Sequence, residues 1–332
     1  MNNERLLADL AKTAIKEWDL DVEDINLHLQ SENTVFKVEG ADGNTYALRI
    51  HRKGYHDLDE LNSEHIWTSC LSNSGLSVPQ ALLTRNGDAY ASIAFPNSEE
   101  NRYVGLVEWL EGENLSKIIT KIEENEIRSL YRSLGQVIAK FHQATIAWEV
   151  PKGFKRHSFD RGGLLGEKPF WGRFWEVESL SNSDYDELSL IRNNLKEVLM
   201  GLPKDKTTFG MIHADLHSDN VLVKGDILSV IDFDDSGFGW HGFDLAVAIW
   251  DRLDFSANGG FFEVAHEGLL EGYLEDRPNT KAIIGTIPIF LLMRSLMLIG
   301  WIHERPEAGY SDFLPVLIQA SKAQAKDLGL SD

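Results

Sequence analysis

Acidic, amide and imidazole side chains are concentrated in one stretch of the chain, residues 211–244. In chain order, these side chains include His213, Asp215, His217, Asp219, Asn220, Asp232, Asp234 and Asp235. Two short β-branched runs, 221–223 and 228–231, lie within the cluster and are joined by a Lys-Gly-Asp turn. We predict a β-hairpin here, because apolar runs around such a turn are typical of hairpins. The hairpin brings Asp215, Asn220 and Asp232 to one end.

Three interpretations of this cluster stay open on local spacing alone. Carboxylate and amide oxygens are the hard ligands that Mg²⁺ prefers, and Asp215 is then available as a base towards a hydroxyl in a phosphotransfer reaction. The His-x-Asp-x-His-x-Asp spacing also suits the zinc or two-metal site of a hydrolase. Finally, polar residues of these types cap turns and tie loops together without taking part in any chemistry.

The order of the residues resembles the catalytic segment of a known family. His-x-Asp-x-x-x-x-Asn followed by Ile-Asp-Phe is similar to the catalytic and metal-binding segments of the protein-kinase-like fold. The longer pattern of HADLHSDNVLV, VIDFDDSGFG and FDLA resembles the aminoglycoside phosphotransferase and choline kinase-like family, with Ala214 where that family usually has glycine. This resemblance implies an α+β, two-lobed protein-kinase-like fold with a small β-rich N-lobe and a larger helical C-lobe.

The resemblance also implies a role for each position in the cluster. Asp215 would be the catalytic base that takes or orients the proton of the acceptor hydroxyl, and Asn220 and Asp232 would bind Mg²⁺ at the phosphates of ATP. The residues expected to support the loop or to lie beside the substrate are His213, His217, Asp234 and Asp244.

The N-terminal third carries the partner features that a kinase needs. Tyr46-Ala47-Leu48-Arg49 is similar to the Val-Ala-Ile-Lys strand of kinases, with Arg49 in place of lysine, and strand alternation puts Ala47 and Arg49 on one face. The resemblance makes Glu64, on a helix predicted at 57–72, the partner of Arg49. The other residues that it assigns to ATP binding are Asn33 and Thr34 in the first hairpin, and Glu108 and Leu110 in the linker.

The distribution of predicted strands and helices divides the chain. We expect a nucleotide-binding N-lobe at 1–107, a hinge at 108–112 and a helical C-lobe with the catalytic loop and acceptor site at 113–332. An apolar stretch, Ile283–Ile302, is long enough to span a membrane. Arg294 near its middle is costly in a bilayer, so we predict a buried helix of the core within a helix at 279–303.

Composition narrows the possible partners. Among 332 residues, 52 are acidic and 32 are basic, which gives a net charge of −20 and argues against binding nucleic acid. The acidic chain suits a cationic acceptor, whereas a basic segment at 152–173 suits either solvated surface or an anionic ligand. The single cysteine, Cys70, and an N-terminus without the pattern of a signal peptide indicate a cytoplasmic protein that does not bind membranes.

Together these observations predict an enzyme that uses ATP and Mg²⁺. We expect it to transfer the γ-phosphate to a hydroxyl of a small molecule, such as an amino alcohol, a homoserine-like compound, an aminoglycoside or a sugar. The alternatives are a Ser/Thr protein kinase of the same fold and a nucleotide-binding pseudokinase without turnover.

Overall fold

The computed structural model describes residues 3–31, 33–96, 98–256 and 259–331. Glu32, which belongs to the predicted first hairpin, lies outside the described residues. The chain divides into two compact units. Unit 1 comprises residues 1–112 and 149–155, and unit 2 comprises residues 113–148 and 156–332. The assignment of residues 108–112 as a hinge stays a prediction.

Unit 1 combines an antiparallel sheet with helices. The strands are β1 (Val22–Gln30), β2 (Thr34–Gly40), β3 (Thr45–Ile50), β4 (Ala81–Leu82), β5 (Tyr90–Ala94) and β6 (Asn101–Glu108), and the helices are α1 (Asn3–Ala14) and α2 (Leu58–Asn73). The strand order is β1-β2-β3-β6-β4, and β5 also pairs with β6.

The hairpin of β2 and β3 agrees with the strands predicted from the sequence, whereas β1 was not among them. In β3, Tyr46, Leu48 and Ile50 are buried, so Ala47 and Arg49 share the opposite face as alternation requires. β1 has almost no buried side chain; Leu27 and Leu29 are 37% and 53% exposed. It lies at the edge of the sheet, where β2 is its one partner among the strands that the structure describes. The sequence of β1 does alternate, with polar residues between Ile25, Leu27 and Leu29, but none of these three apolar side chains is fully buried.

Helix α2 begins at a capping box and carries one face into the core. The Asp57 carboxylate accepts a hydrogen bond from the Glu60 backbone N–H, and the Glu60 carboxylate accepts one from Asp57 N–H. These bonds satisfy backbone donors that the first helical turn leaves without partners. Along the helix, Leu61, Glu64 and Leu71 are buried at helical spacing, which points the Glu64 carboxylate inward.

Unit 2 is mainly helical, with two small sheets. Its helices are α3 (Leu115–Ile119), α4 (Glu124–Ala147), α5 (Arg161–Leu165), α6 (Asn182–Gly201), α7 (His241–Trp250), α8 (Phe262–Asp276), α9 (Lys281–Ile284), α10 (Ile287–Glu304) and α11 (Leu314–Asp327). Its strands are β7 (Glu113–Asn114), β8 (Ser158–Phe159), β9 (Phe209–Ile212), β10 (Val221–Lys224), β11 (Ile227–Val230) and β12 (Gly237–Trp240). The orders β11-β10-β7 and β8-β12-β9 describe the two sheets. A β-rich unit and a helix-rich unit confirm the predicted α+β class.

The predicted helix at 279–303 is divided into α9 and α10. Pro288 lies in the first turn of α10, where the missing N–H of proline costs no helical hydrogen bond. By length and composition α10 could cross a membrane, but 67% of its residues are buried in the protein. Arg294 is buried with them. This burial agrees with the prediction of a core helix, and it places a charged side chain inside unit 2.

Candidate active site

The loop that follows β9 is held in place by the first turn of α7. Asp244 accepts hydrogen bonds from the backbone N–H groups of His213, at 3.1 Å, and Ala214, at 2.8 Å. Ala214 has a φ of 67°, in the left-handed region that favours glycine. Asp244 is fully buried, and burial raises its pKa to about 6. The loop therefore has a buried carboxylate as its anchor.

Asp215 stands at the centre of this loop. Arg294 Nη2 donates to Asp215 Oδ1 at 2.5 Å, and Asn220 Nδ2 donates to Asp215 Oδ2 at 3.2 Å. His217 Nε2 lies 3.4 Å from the same Oδ2 atom. Burial alone would raise the pKa of Asp215, but the charges of Arg294 and His217 hold it below the ordinary value of 3.8. The carboxylate is therefore ionised and fixed in orientation.

The two histidines of the loop differ in environment. His213 is fully buried, its Nε2 donates to the Ile231 carbonyl at 3.0 Å, and its Nδ1 accepts from the Asp215 N–H at 3.3 Å. Burial lowers the pKa of His213, so the ring is neutral. Burial also opposes a charge on His217, but the Asp215 carboxylate raises the pKa of His217 above 6.5. His213 thus shapes the loop, whereas His217 lies directly beside the Asp215 carboxylate.

Asn220 and Asp232 flank the hairpin of β10 and β11 on the same side. Val221 pairs with Val230, and the Ile231 N–H donates to the Asn220 carbonyl at 3.0 Å. Because Asn220 Nδ2 is bound to Asp215, the amide oxygen is the atom of that side chain that can reach a cation. No group of three or more His, Cys, Asp or Glu suited to a metal occurs among the described residues. An amide and a carboxylate do fit Mg²⁺, which takes its remaining ligands from phosphates and water.

The segment after Asp232 is buried and does not form a solvated loop. Asp234 is 6% exposed and Asp235 is 9% exposed. The Arg156 guanidinium donates to the backbone carbonyls of Phe233, at 3.2 Å, and Ser236, at 2.6 Å, and also to that of Asp234. Arg156 belongs to the basic segment at 152–173. It is buried against this loop and is not part of the solvated surface.

Two contacts of the loop are not predicted by the sequence pattern. Asp251, at the end of α7, accepts hydrogen bonds from the N–H of Ser218, at 3.2 Å, and from its hydroxyl. Arg294 contacts Asp215 across 79 positions of the chain. The only signal for Arg294 was a charged residue inside an apolar helix, which indicates a buried partner but does not identify it.

The residues assigned to ATP binding lie in unit 1. Arg49 Nη1 donates to Glu64 Oε1 at 3.2 Å, and the two side chains are 15% and 6% exposed, so the sequence prediction of this ion pair is confirmed. Asn33 Oδ1 accepts from the Arg52 N–H at 3.0 Å, which ties the ends of β2 and β3 together. Thr34 and Ala47 belong to those strands, and Glu108 ends β6 two residues before Leu110. Their roles towards a nucleotide stay predictions.

Comparison with known proteins shows that this protein has the fold of the protein-kinase-like phosphotransferases. The chain belongs to the APH family, described as the phosphotransferase enzyme family, whose model matches residues 26–282. It is an enzyme of the kinase type, and its named relatives are small-molecule kinases.

Three similar proteins illustrate the family. A homoserine kinase of Rhizobium etli is 30% identical over 66% of this chain and 61% of that protein. A solved microcompartment-associated aminopropanol kinase is 26% identical, with a TM-score of 0.82 over 97% of this chain and 99% of that chain. The amicoumacin kinase hAmiN, solved in complex with AMP-PNP, Ca²⁺ and Ami, is 21% identical, with a TM-score of 0.79 over 97% and 94% of the two chains. That kinase thus binds a nucleotide and a divalent cation.

Proposed function

We propose that the protein transfers the γ-phosphoryl group of Mg²⁺-ATP to a hydroxyl of a small acceptor that binds at Asp215. The observation that carries this proposal is the fixed, ionised Asp215 carboxylate, which two donors, Arg294 and Asn220, hold from two sides. The loop that presents it is itself anchored by Asp244. A carboxylate prepared in this way can accept a hydrogen bond from a hydroxyl without first moving.

The environment of Asp215 suits orientation of the acceptor more than early removal of its proton. A carboxylate with a lowered pKa is a weak base, so it takes a proton only when the hydroxyl oxygen has become acidic through bonding to phosphorus. Phosphoryl transfer has a loose transition state, in which the attacking oxygen forms little bond until late. Positioning and charge neutralisation are then the main contributions of the protein.

Asn220 and Asp232 are the residues that would hold Mg²⁺. When bound, this ion neutralises charge on the phosphate oxygens. Arg49 would bind a phosphate through its guanidinium, which Glu64 holds in place. The remaining residues proposed for nucleotide binding are Asn33, Thr34, Ala47, Glu108 and Leu110. We further propose that the protein is cytoplasmic and acts on a free small molecule rather than on nucleic acid.

The test is phosphorylation of a panel of acceptors by the purified protein with Mg²⁺-ATP. The panel comprises amino alcohols, homoserine, aminoglycosides, sugars and a generic Ser/Thr protein. Asp215→Asn should lower kcat by about 10²–10⁴-fold, because the carboxylate that orients the hydroxyl is lost. Asp226→Asn, on the exposed turn of the β10–β11 hairpin, is the matched control and should leave kcat unchanged.

Three outcomes would contradict the proposal. Wild-type turnover in Asp215→Asn would remove Asp215 from the site. Phosphorylation of the protein substrate alone would favour a Ser/Thr kinase. Binding of Mg²⁺-ATP without transfer to any acceptor would favour a pseudokinase.

A further inference from the structure

Arg294 has more hydrogen-bond donors than its partners use. Its side chain lies at the middle of α10, and the residue is only 5% exposed. Nη2 donates to Asp215, but Nε and Nη1 are buried and have no acceptor among the described residues. Buried donors of folded proteins are almost always paired with protein, water or ligand. Two unused donors on one guanidinium, directly beside the proposed catalytic carboxylate, indicate that something else binds there.

Contacts on the face and at one corner hold the guanidinium still. Its Cζ atom lies 4.6 Å from the centre of the Trp171 ring, a cation–π distance. Trp171 is itself 4% exposed, and its Nε1 donates to Asp235 Oδ1 at 3.4 Å. With Asp215 at one corner and Trp171 against the face, the directions of the remaining N–H groups are fixed. A ligand atom that accepts from them must therefore take a defined position.

We propose that Arg294 binds a carboxylate carried by the acceptor, so that the acceptor is a small hydroxy acid or hydroxy amino acid. This inference rests on the phosphotransfer proposed above and adds the substrate class. The acceptor hydroxyl lies at Asp215, and the carboxylate of the acceptor accepts from Nη1 of Arg294, the nitrogen next to the Nη2 atom that Asp215 occupies. Both groups must then belong to one small molecule, because the two protein residues are in direct contact.

The charges of the site favour an anionic group at this point. Asp215 neutralises only one edge of the guanidinium, and charge-assisted hydrogen bonds from arginine to a carboxylate are stronger than neutral ones. An ammonium group placed against the same N–H groups would meet a like charge with no acceptor atom. An uncharged acceptor could bind too, but it would gain less from Arg294 than one with a carboxylate.

The experiment compares acceptors that differ only in this group. L-Homoserine and L-homoserinamide share the hydroxyl and the amine, and the amide lacks the negative charge; L-serine and L-serinamide form a shorter pair. For each, kcat and KM are measured at saturating Mg²⁺-ATP for the wild type, Arg294→Gln and Arg294→Lys. Arg192→Gln is the matched control, since Arg192 also stacks on a tryptophan, Trp175, and pairs with a carboxylate, Glu167, in the same unit.

We expect the wild type to prefer a carboxylate by about 10- to 100-fold in kcat/KM, the range for a hydrogen bond to a charged group. Arg294→Gln should abolish this preference: loss of the contact with Asp215 lowers kcat for both acceptors alike, whereas KM rises only for the acceptor that carries the carboxylate. Arg294→Lys should retain part of it, since the charge stays while the planar donor fork is lost. Arg192→Gln should keep the full preference. The melting temperature of each variant shows whether it is folded, and Arg294→Lys serves if Arg294→Gln is not.

Three results would overturn the inference while phosphotransfer stands. The wild type could phosphorylate the acid and the amide equally well. Arg294→Gln could lower turnover of both by the same factor, which would make Arg294 only a support for Asp215. Arg294→Gln could also raise KM for ATP instead, which would place the phosphate donor, ATP, beside Arg294. If neither these acceptors nor the wider panel is phosphorylated, the proposed function itself fails, and the inference fails with it.

Discussion

The buried anchor of the catalytic loop leads to a prediction about both stability and pH. In Asp244→Asn the side chain keeps one oxygen, which can still accept from the Ala214 N–H. The other oxygen becomes an NH₂ group facing the His213 N–H, so that buried donor loses its acceptor. An unsatisfied buried donor costs about 1–3 kcal/mol. This loss should be present at every pH.

A second contribution depends on pH, because burial raises the pKa of Asp244 from 3.8 to about 6. Between pH 3.8 and about pH 6, the native protein therefore keeps a proton on Asp244 that the unfolded chain has released. The stability from this proton is complete below pH 3.8 and is lost as the pH rises through 6, and the full effect is about 3 kcal/mol. Between pH 5 and pH 8 the wild type should lose about 1.4 kcal/mol from this group, whereas Asp244→Asn has no proton there to lose.

The assay is urea denaturation, followed by tryptophan fluorescence at pH 5 and pH 8 with constant ionic strength. The difference in free energy of unfolding between wild type and Asp244→Asn should be larger at pH 5 by about 1.4 kcal/mol. Contributions from titrating groups remote from Asp244 are common to both proteins and cancel in this difference. The exposed Asp226→Asn variant should show no such change. An equal gap at both pH values, or a gap that widens towards pH 8, would refute the reasoning.

Three further predictions concern neighbouring residues. Arg49→Ala should raise KM for ATP by about tenfold or more, as expected for a lost charged hydrogen bond, while Arg49→Lys keeps most of the affinity; steady-state kinetics with varied ATP measure both. Ala214→Gly should keep activity and change the free energy of unfolding by less than about 1 kcal/mol, because relief at φ 67° is offset by greater freedom of the unfolded chain, as urea denaturation can show. In Arg294→Gln, the positive charge that lowers the pKa of Asp215 is lost, whereas burial still raises that pKa. The acid limb of the pH profile of kcat/KM for an uncharged acceptor should therefore move to higher pH.

Features that depend on residues close in the chain were predictable from the sequence. The β2–β3 hairpin, the face shared by Ala47 and Arg49 and the inward position of Glu64 follow from strand and helix periodicity. The hairpin of β10 and β11 follows from its apolar runs and its turn, and it places Asn220 and Asp232 on one side. The order of these motifs also carried the resemblance that the family model bears out.

Features that depend on tertiary packing were not predictable. Arg156 contacts carbonyls about 80 positions away, and Arg294 contacts Asp215 at a similar separation. Nothing in the residue types selects these partners, because any buried arginine needs acceptors and many are available. The edge strand β1 is a different case, because the alternation of apolar and polar residues over 25–30 is a signal for a strand in the sequence itself. Sequence thus indicated which groups can do chemistry, and packing determined which charges surround them.

The net charge of the protein and the charges within the site therefore affect acceptor binding in different ways. A net charge of −20 favours cationic molecules at long range, but such attraction is screened within about 8 Å at physiological ionic strength. It acts on the rate of encounter more than on what the site retains. Within the site, the buried guanidinium of Arg294 is in direct contact with Asp215 and far less screened. An acceptor with both an amine and a carboxylate satisfies the two effects together: the amine is compatible with the acidic surface, and the carboxylate is matched by Arg294.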